Sequence, residues 1–231
     1  MKNKSISIIM SERERWTGLM YLMAELFLLP SALRMVNSWL TRPFSEPALN
    51  FVFFSINCAA AIFIFRYYLL NSVSEALGAF WESVQAVILG YVAYRISEDI
   101  LFRLITYVNP GFQNVNDGSI AALAGQNFYL MAVGVVVLVP IAEECFYRGL
   151  IFGSLYKRNR ILAYAISTAV FAAVHVAGYL GNYSPVTLLI CYLQYLPAGL
   201  WLAWSYEKSG TVVVPMVIHG IVNYLGIRSV R

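Results

Sequence analysis

The chain has 231 residues, 60% of them apolar or aromatic and only 12% charged, with a mean hydropathy of +0.66. About a quarter of a typical soluble chain is charged, so a water-exposed globular surface is excluded. The net charge of +4 is gathered into short stretches, Lys2, Lys4, Arg13 and Arg15 at the N-terminus and Lys157, Arg158, Arg160 and Lys208 further on. Such clusters read as membrane topology and not as a nucleic-acid footprint.

In chain order, the first apolar segment runs from Trp16 to about Leu40 and is interrupted by Glu25, Pro30 and Arg34. No small-x-small cleavage site follows it, so it is expected to be a retained helix and not a cleaved signal. Phe51 to about Leu70 and Leu77 to Tyr94 are the second and third candidate spans. Ile96 to Val108 holds Glu98, Asp99 and Arg103 in 13 residues, which suggests an interfacial helix. The run NPGFQNVNDG, Asn109 to Gly118, is the strongest loop signal in the chain and divides it into residues 1–110 and 111–231.

Beyond that loop, long stretches lack any Asp, Glu, Lys or Arg: Ser119 to Ala142 (24 residues), Ile161 to Tyr206 (46) and Ser209 to Ile227 (19). A helix crosses a bilayer core in about 20 residues, so four spans are expected here, near 126–156, 161–178, 186–206 and 210–227. The fold expected is all-α, a polytopic transmembrane helical bundle of about seven spans, or eight if Ile96 to Val108 also crosses. Placing the basic loop at Lys157 in the cytoplasm puts the N-terminus there too and suggests a multi-pass protein of the cell membrane. Cys58, Cys145 and Cys191 lie far apart in apolar segments and are expected to be buried thiols.

Chemistry concentrates in a few polar residues. Glu143 and Glu144 are adjacent within VVVLVPIAEECFYRGLIFG, and an ionisable residue at membrane depth costs about 2.5–3.5 kcal/mol, which marks the pair as functional. Glu144 and Arg148 are four apart and share a helix face, whereas Glu143 is turned about 100° from it. The two histidines, His175 and His219, both lie in uncharged runs, with Phe171 four residues before the first and Asn223 four residues after the second. Counting about 1.5 Å per residue from the basic loops puts Glu143, His175 and Asn223 about 21–22 Å deep and His219 about 16 Å deep. Three helices could thus aim these groups at one point.

The set Glu143-Glu144-x-x-x-Arg148-Gly149, Phe171-x-x-x-His175 and His219-x-x-x-Asn223 resembles the three motifs of the CPBP family, which groups CAAX prenyl endopeptidases with bacteriocin-processing and abortive-infection proteins. The match covers about 90 residues, from Val135 to Tyr224, and departs from the usual pattern only in Tyr147, where Phe is more frequent. The resemblance implies a four-helix core in 111–231 acting as an intramembrane glutamic endopeptidase. Glu143 would be the general base, sharing a water with His175. His219 and Asn223 would be oxyanion donors, and Glu144 with Arg148 would fix the helix and hold Glu143 in place. It also implies a peptide or protein substrate in the lipid bilayer, prenylated in some family members and a bacteriocin or pheromone precursor in others.

Neither cofactor nor metal is expected. A zinc site on the same acids and histidines is the rival within enzymes, although His-Glu-x-x-His is absent and Arg148 would oppose a dication. A different class also remains open, a membrane immunity or regulatory protein that binds a partner and uses the motif residues structurally. Glu25 pairs with nothing in the site on this reading, and Tyr192, Tyr195, Trp201 and Trp204 read as an interfacial aromatic belt.

Overall fold

The computed structural model describes residue 6 and residues 8–228; Lys2 and Lys4, part of the expected basic N-terminus, lie outside the described residues. Ten helices follow in order: α1 Glu12–Phe27, α2 Leu29–Trp39, α3 Glu46–Ile64, α4 Arg66–Gly78, α5 Phe80–Val108, α6 Val115–Gln126, α7 Phe128–Tyr156, α8 Arg160–Ala177, α9 Pro185–Ser209 and α10 Val213–Arg228. The protein is all-helical among the described residues, a polytopic membrane bundle.

Helices α3, α7, α8 and α9 are each long and apolar enough to cross a membrane. Two bent pairs raise the number to six, α1 with α2 at 54° and α4 with α5 at 97°. α10 is apolar but has only 16 residues, about 24 Å of helix against a hydrocarbon core of about 30 Å. The seven apolar segments expected from the sequence correspond to these units, of which at most six qualify as spans by length and composition.

Several boundaries differ from expectation. Ile96 to Val108 is not a helix of its own; it is the second half of the 29-residue α5. Nothing in the sequence breaks it, and its charges pair along one exposed face, Arg95 with Glu98 and Arg103 with Asp99. The second candidate span ends at Phe65 and the third begins after Ala79, where the chain turns sharply between α4 and α5. The loop from Asn109 is shorter than read, because Asn114 caps α6 by accepting from the backbone N–H groups of Asn116 and Asp117.

The two halves of the chain share one core. In it Phe65, Tyr68 and Ala86 pack with Phe146, Phe152, Phe171 and Tyr206. The buried Tyr68 hydroxyl donates to that of Tyr206 at 3.0 Å, and Trp201 Nε1 donates to Ser97 Oγ at 2.9 Å. Trp201 thus ties α9 to α5. α8 and α9 pack most extensively, and Gly199 permits it: a Cβ there would come within 2.8 Å of Thr168 Cγ2 and 3.0 Å of its Cα. All three cysteines are free and buried.

Candidate functional site

α7 carries both acids and is not a uniform helix. Gly134–Leu138 and Cys145–Phe152 are wound as π-helix on either side of the α-helical Val139–Glu144. π-turns recur at functional sites because they re-aim side chains and leave backbone groups free. Here the N–H of Val139 bonds the carbonyl of Gly134, five residues back. The next donor in that register, for Val135 O, would be residue 140, which is Pro140 and has no N–H. Asn223 supplies the missing donor from α10, its Nδ2 lying 2.7 Å from Val135 O. One of the two Nδ2 hydrogens is used in this way and the second remains free.

The adjacent acids face different partners. Glu144 is fully buried and accepts two hydrogen bonds on Oε1, from Arg148 Nη1 at 3.3 Å and His219 Nδ1 at 2.8 Å, while Arg148 Nε lies 3.2 Å from Oε2 as an ion-pair contact outside hydrogen-bond geometry. Arg148, equally buried, also donates through Nη2 to Gly199 O at 3.3 Å and lies 4.3 Å over the Phe171 ring. An unpaired buried charge would cost several kcal/mol, and these contacts offset it. His219 gives its Nδ1 proton to the carboxylate, so Nε2 can donate only when the ring is protonated.

Glu143 turns to α8. Its Oε2 lies 4.0 Å from Nε2 of His175, and the two side chains keep 22% and 14% of their surface exposed. His175 Nδ1 is 2.7 Å from Phe171 O. A carbonyl can only accept, so Nδ1 carries a proton, and in the neutral imidazole Nε2 presents a lone pair toward Glu143. Glu143 Oε2 itself has no hydrogen-bond partner. Two acceptors 4.0 Å apart make a site for a small donor, such as a water that gives one hydrogen to each.

Glu143, Glu144, Arg148, His175 and His219 therefore gather around Phe171. Asn223 is attached to the same patch through α7. Among the described residues no group of three or more His, Cys, Asp or Glu has metal-holding geometry, because each histidine addresses a different carboxylate.

Two residues missed from the sequence belong here. Glu25 of α1 is buried, with an oxygen that has no hydrogen-bond partner, and lies within electrostatic reach of Glu143. Tyr195 is no belt residue: its ring lies 4.2 Å from that of His175, tilted by 30°. Neither carries a motif, and only packing brings them in. Glu207, the other acid from Ile120 onward, lies elsewhere and is held by Arg160, Tyr156 and Tyr164.

Comparison with known proteins converges on the same segment. Residues 125–225 match the family model of type II CAAX prenyl endopeptidase Rce1-like proteins. The UPF0177 protein YxdF of Lactococcus lactis is 25% identical over 148 residues, 62% of this chain and 76% of YxdF. YdiL of Bacillus subtilis is 28% identical over 167 residues, 71% of this chain and 67% of YdiL. The membrane-embedded CAAX protease MroQ of Staphylococcus aureus is 24% identical over 140 residues, 59% of this chain and 53% of MroQ. No solved structure matches the chain significantly.

Proposed function

We propose that the chain is a member of the CPBP family, which its likeness to the Rce1-like model over residues 125–225 supports, and that it is an intramembrane endopeptidase that hydrolyses a peptide bond with a water held between Glu143 and His175. The observation that carries this reading is the 4.0 Å approach of Glu143 Oε2 to the lone-pair nitrogen of a histidine whose tautomer is set by Phe171 O. Two acceptors can orient one water and neither can satisfy the other.

Glu143 takes a proton from that water as its oxygen forms a bond to the scissile carbonyl carbon. The carbonyl oxygen becomes an oxyanion, met by the free N–H of Asn223 and by His219 in its imidazolium form. Collapse re-forms the carbonyl and breaks the C–N bond, and Glu143 returns its proton to the departing nitrogen. Glu144 and Arg148 touch no reacting atom in this scheme; they hold α7, α9 and α10 in register. Residues 111–231 form the catalytic core, with residues 1–110 packed around it. The substrate on this reading is a peptide or protein at the membrane, because the cluster sits within apolar membrane helices. A cell-membrane location with a cytoplasmic N-terminus fits the basic loops.

The test is cleavage of a peptide library by purified protein, wild type beside Glu143→Gln. The variant keeps size and hydrogen bonding but loses the base, so turnover falls by about 10²–10⁴-fold with an unchanged thermal unfolding midpoint. Exhaustive chelation leaves wild-type activity intact. Full activity in Glu143→Gln overturns the base assignment, and activity lost to chelator and restored by zinc supports a metal site on the same residues. If no peptide is cleaved by a folded wild type, a partner-binding role accounts better for the geometry of the cluster.

A further inference from the structure

The imidazole of His175 is confined on more sides than its own helix provides. Phe171 O takes its Nδ1 proton and the Phe171 ring lies 4.5 Å away, centroid to centroid, both on α8. Its other neighbour is the Tyr195 ring from α9. That tyrosine is itself tied down by α6, which lies outside all three motifs. Its hydroxyl donates to Asp117 Oδ1 at 2.8 Å and accepts from Asn116 Nδ2 at 3.0 Å, with Asn114 Oδ1 at 3.4 Å.

The start of α6 is docked by further bonds, Asn114 Nδ2 to Gln194 Oε1 at 2.8 Å and Tyr179 OH to Asn116 Oδ1 at 3.2 Å. The ring against His175 therefore cannot shift unless α6 undocks. The charged and titratable groups facing His175 are Glu143 from α7, Asp117 from α6, which is within electrostatic reach, and Tyr195 from α9.

We propose that Tyr195, anchored by Asp117, is a positioning residue that holds the His175 imidazole in one orientation and one tautomer, with Nε2 aimed at Glu143. This rests on the reading in which His175 and Glu143 share the reacting water. A loose ring would rotate about χ1 and χ2 and could carry its proton on Nε2, which would then point a donor where the water needs an acceptor. Positioning errors of this kind lower the rate without touching substrate affinity.

The chain has only two histidines, so ¹⁵N-histidine labelling of the whole protein in detergent gives two imidazole spectra, assigned with His219→Gln. Wild type shows His175 as a single Nδ1–H tautomer. Tyr195→Leu removes the ring and gives a tautomer mixture. On the best-cleaved library peptide its kcat falls about tenfold at unchanged KM. Asp117→Ala and Tyr195→Phe, which remove only the anchor, give smaller changes in the same direction, and Asp117→Asn, which keeps an acceptor for the hydroxyl, restores both readouts.

An unaltered tautomer and kcat in Tyr195→Leu overturn the proposal. If that variant does not fold, the same result in Tyr195→Phe together with Asp117→Ala overturns it. Full activity in Glu143→Gln would instead remove Glu143 as the base, and the tautomer spectra would still decide whether Tyr195 positions the ring.

Discussion

The ion pairs of the first half and the Glu144–Arg148 pair of the second differ in how far they are buried. In residues 1–110 the pairs Glu12–Arg15, Arg34–Glu46, Arg95–Glu98 and Asp99–Arg103 all keep a third or more of each side chain exposed. In residues 111–231 the Glu144–Arg148 pair is wholly buried and shared with His219, Gly199 O and the Phe171 ring. Exposed pairs contribute about 0–1 kcal/mol, because water solvates either partner when the other is lost. A buried pair gains little over an apolar substitute, yet removing one partner strands the other. The exposed pairs of the first half are therefore cheap to change, whereas the Glu144–Arg148 pair is costly to break.

The sharpest way to break that contrast is Arg148→Met, which leaves Glu144 buried with a single partner. It should lower stability by about 3–5 kcal/mol, read as reduced abundance and an earlier thermal transition in detergent. The double variant Glu144→Leu/Arg148→Met should be milder than the single one, since no charge is stranded. Stability of Arg148→Met equal to wild type would mean that the cluster is wetter than its zero exposure implies.

A smaller effect is expected from Gly199→Val, where the added side chain meets the Thr168 backbone and pushes α9 from α8. Overpacking of this kind costs about 1–3 kcal/mol, and turnover should fall as well because Gly199 O is an anchor for Arg148. Unchanged turnover at reduced stability would separate helix packing from site geometry. The smallest effect belongs to Arg103→Ala on the exposed face of α5, within about 0.5 kcal/mol of wild type and without change in peptide cleavage. A large loss there would show that the first half carries a site of its own.

The helical membrane class was legible from runs of 19 to 46 residues without a charge, because a bilayer leaves no other use for them. Glu143, Glu144, Arg148, His175, His219 and Asn223 were also legible, since ionisable and amide groups stand out against that background. Helical rise led to the expectation of a similar depth for them. The charge density of Ile96 to Val108 points to a separate helix, yet Arg95–Glu98 and Asp99–Arg103 pair along the continuous α5 and leave nothing to break it.

What composition and spacing determined was thus which residues are polar in an apolar setting and how far along their helices they lie. Which polar group meets which was decided by tertiary structure. The i,i+4 rule joined Glu144 to Arg148, but nothing local directs His219 to Glu144 and His175 to Glu143, or brings Tyr195 and Glu25 beside the pair. Those pairings depend on the rotation of each helix about its axis. That rotation is set by close contacts such as Gly199 on Thr168, and by π-turns in α7, where Pro140 leaves Val135 O for Asn223 to find. A helix turned by one residue swings its side chains by about 100° while hardly changing its apolar pattern, so the sequence constrains depth far more tightly than facing.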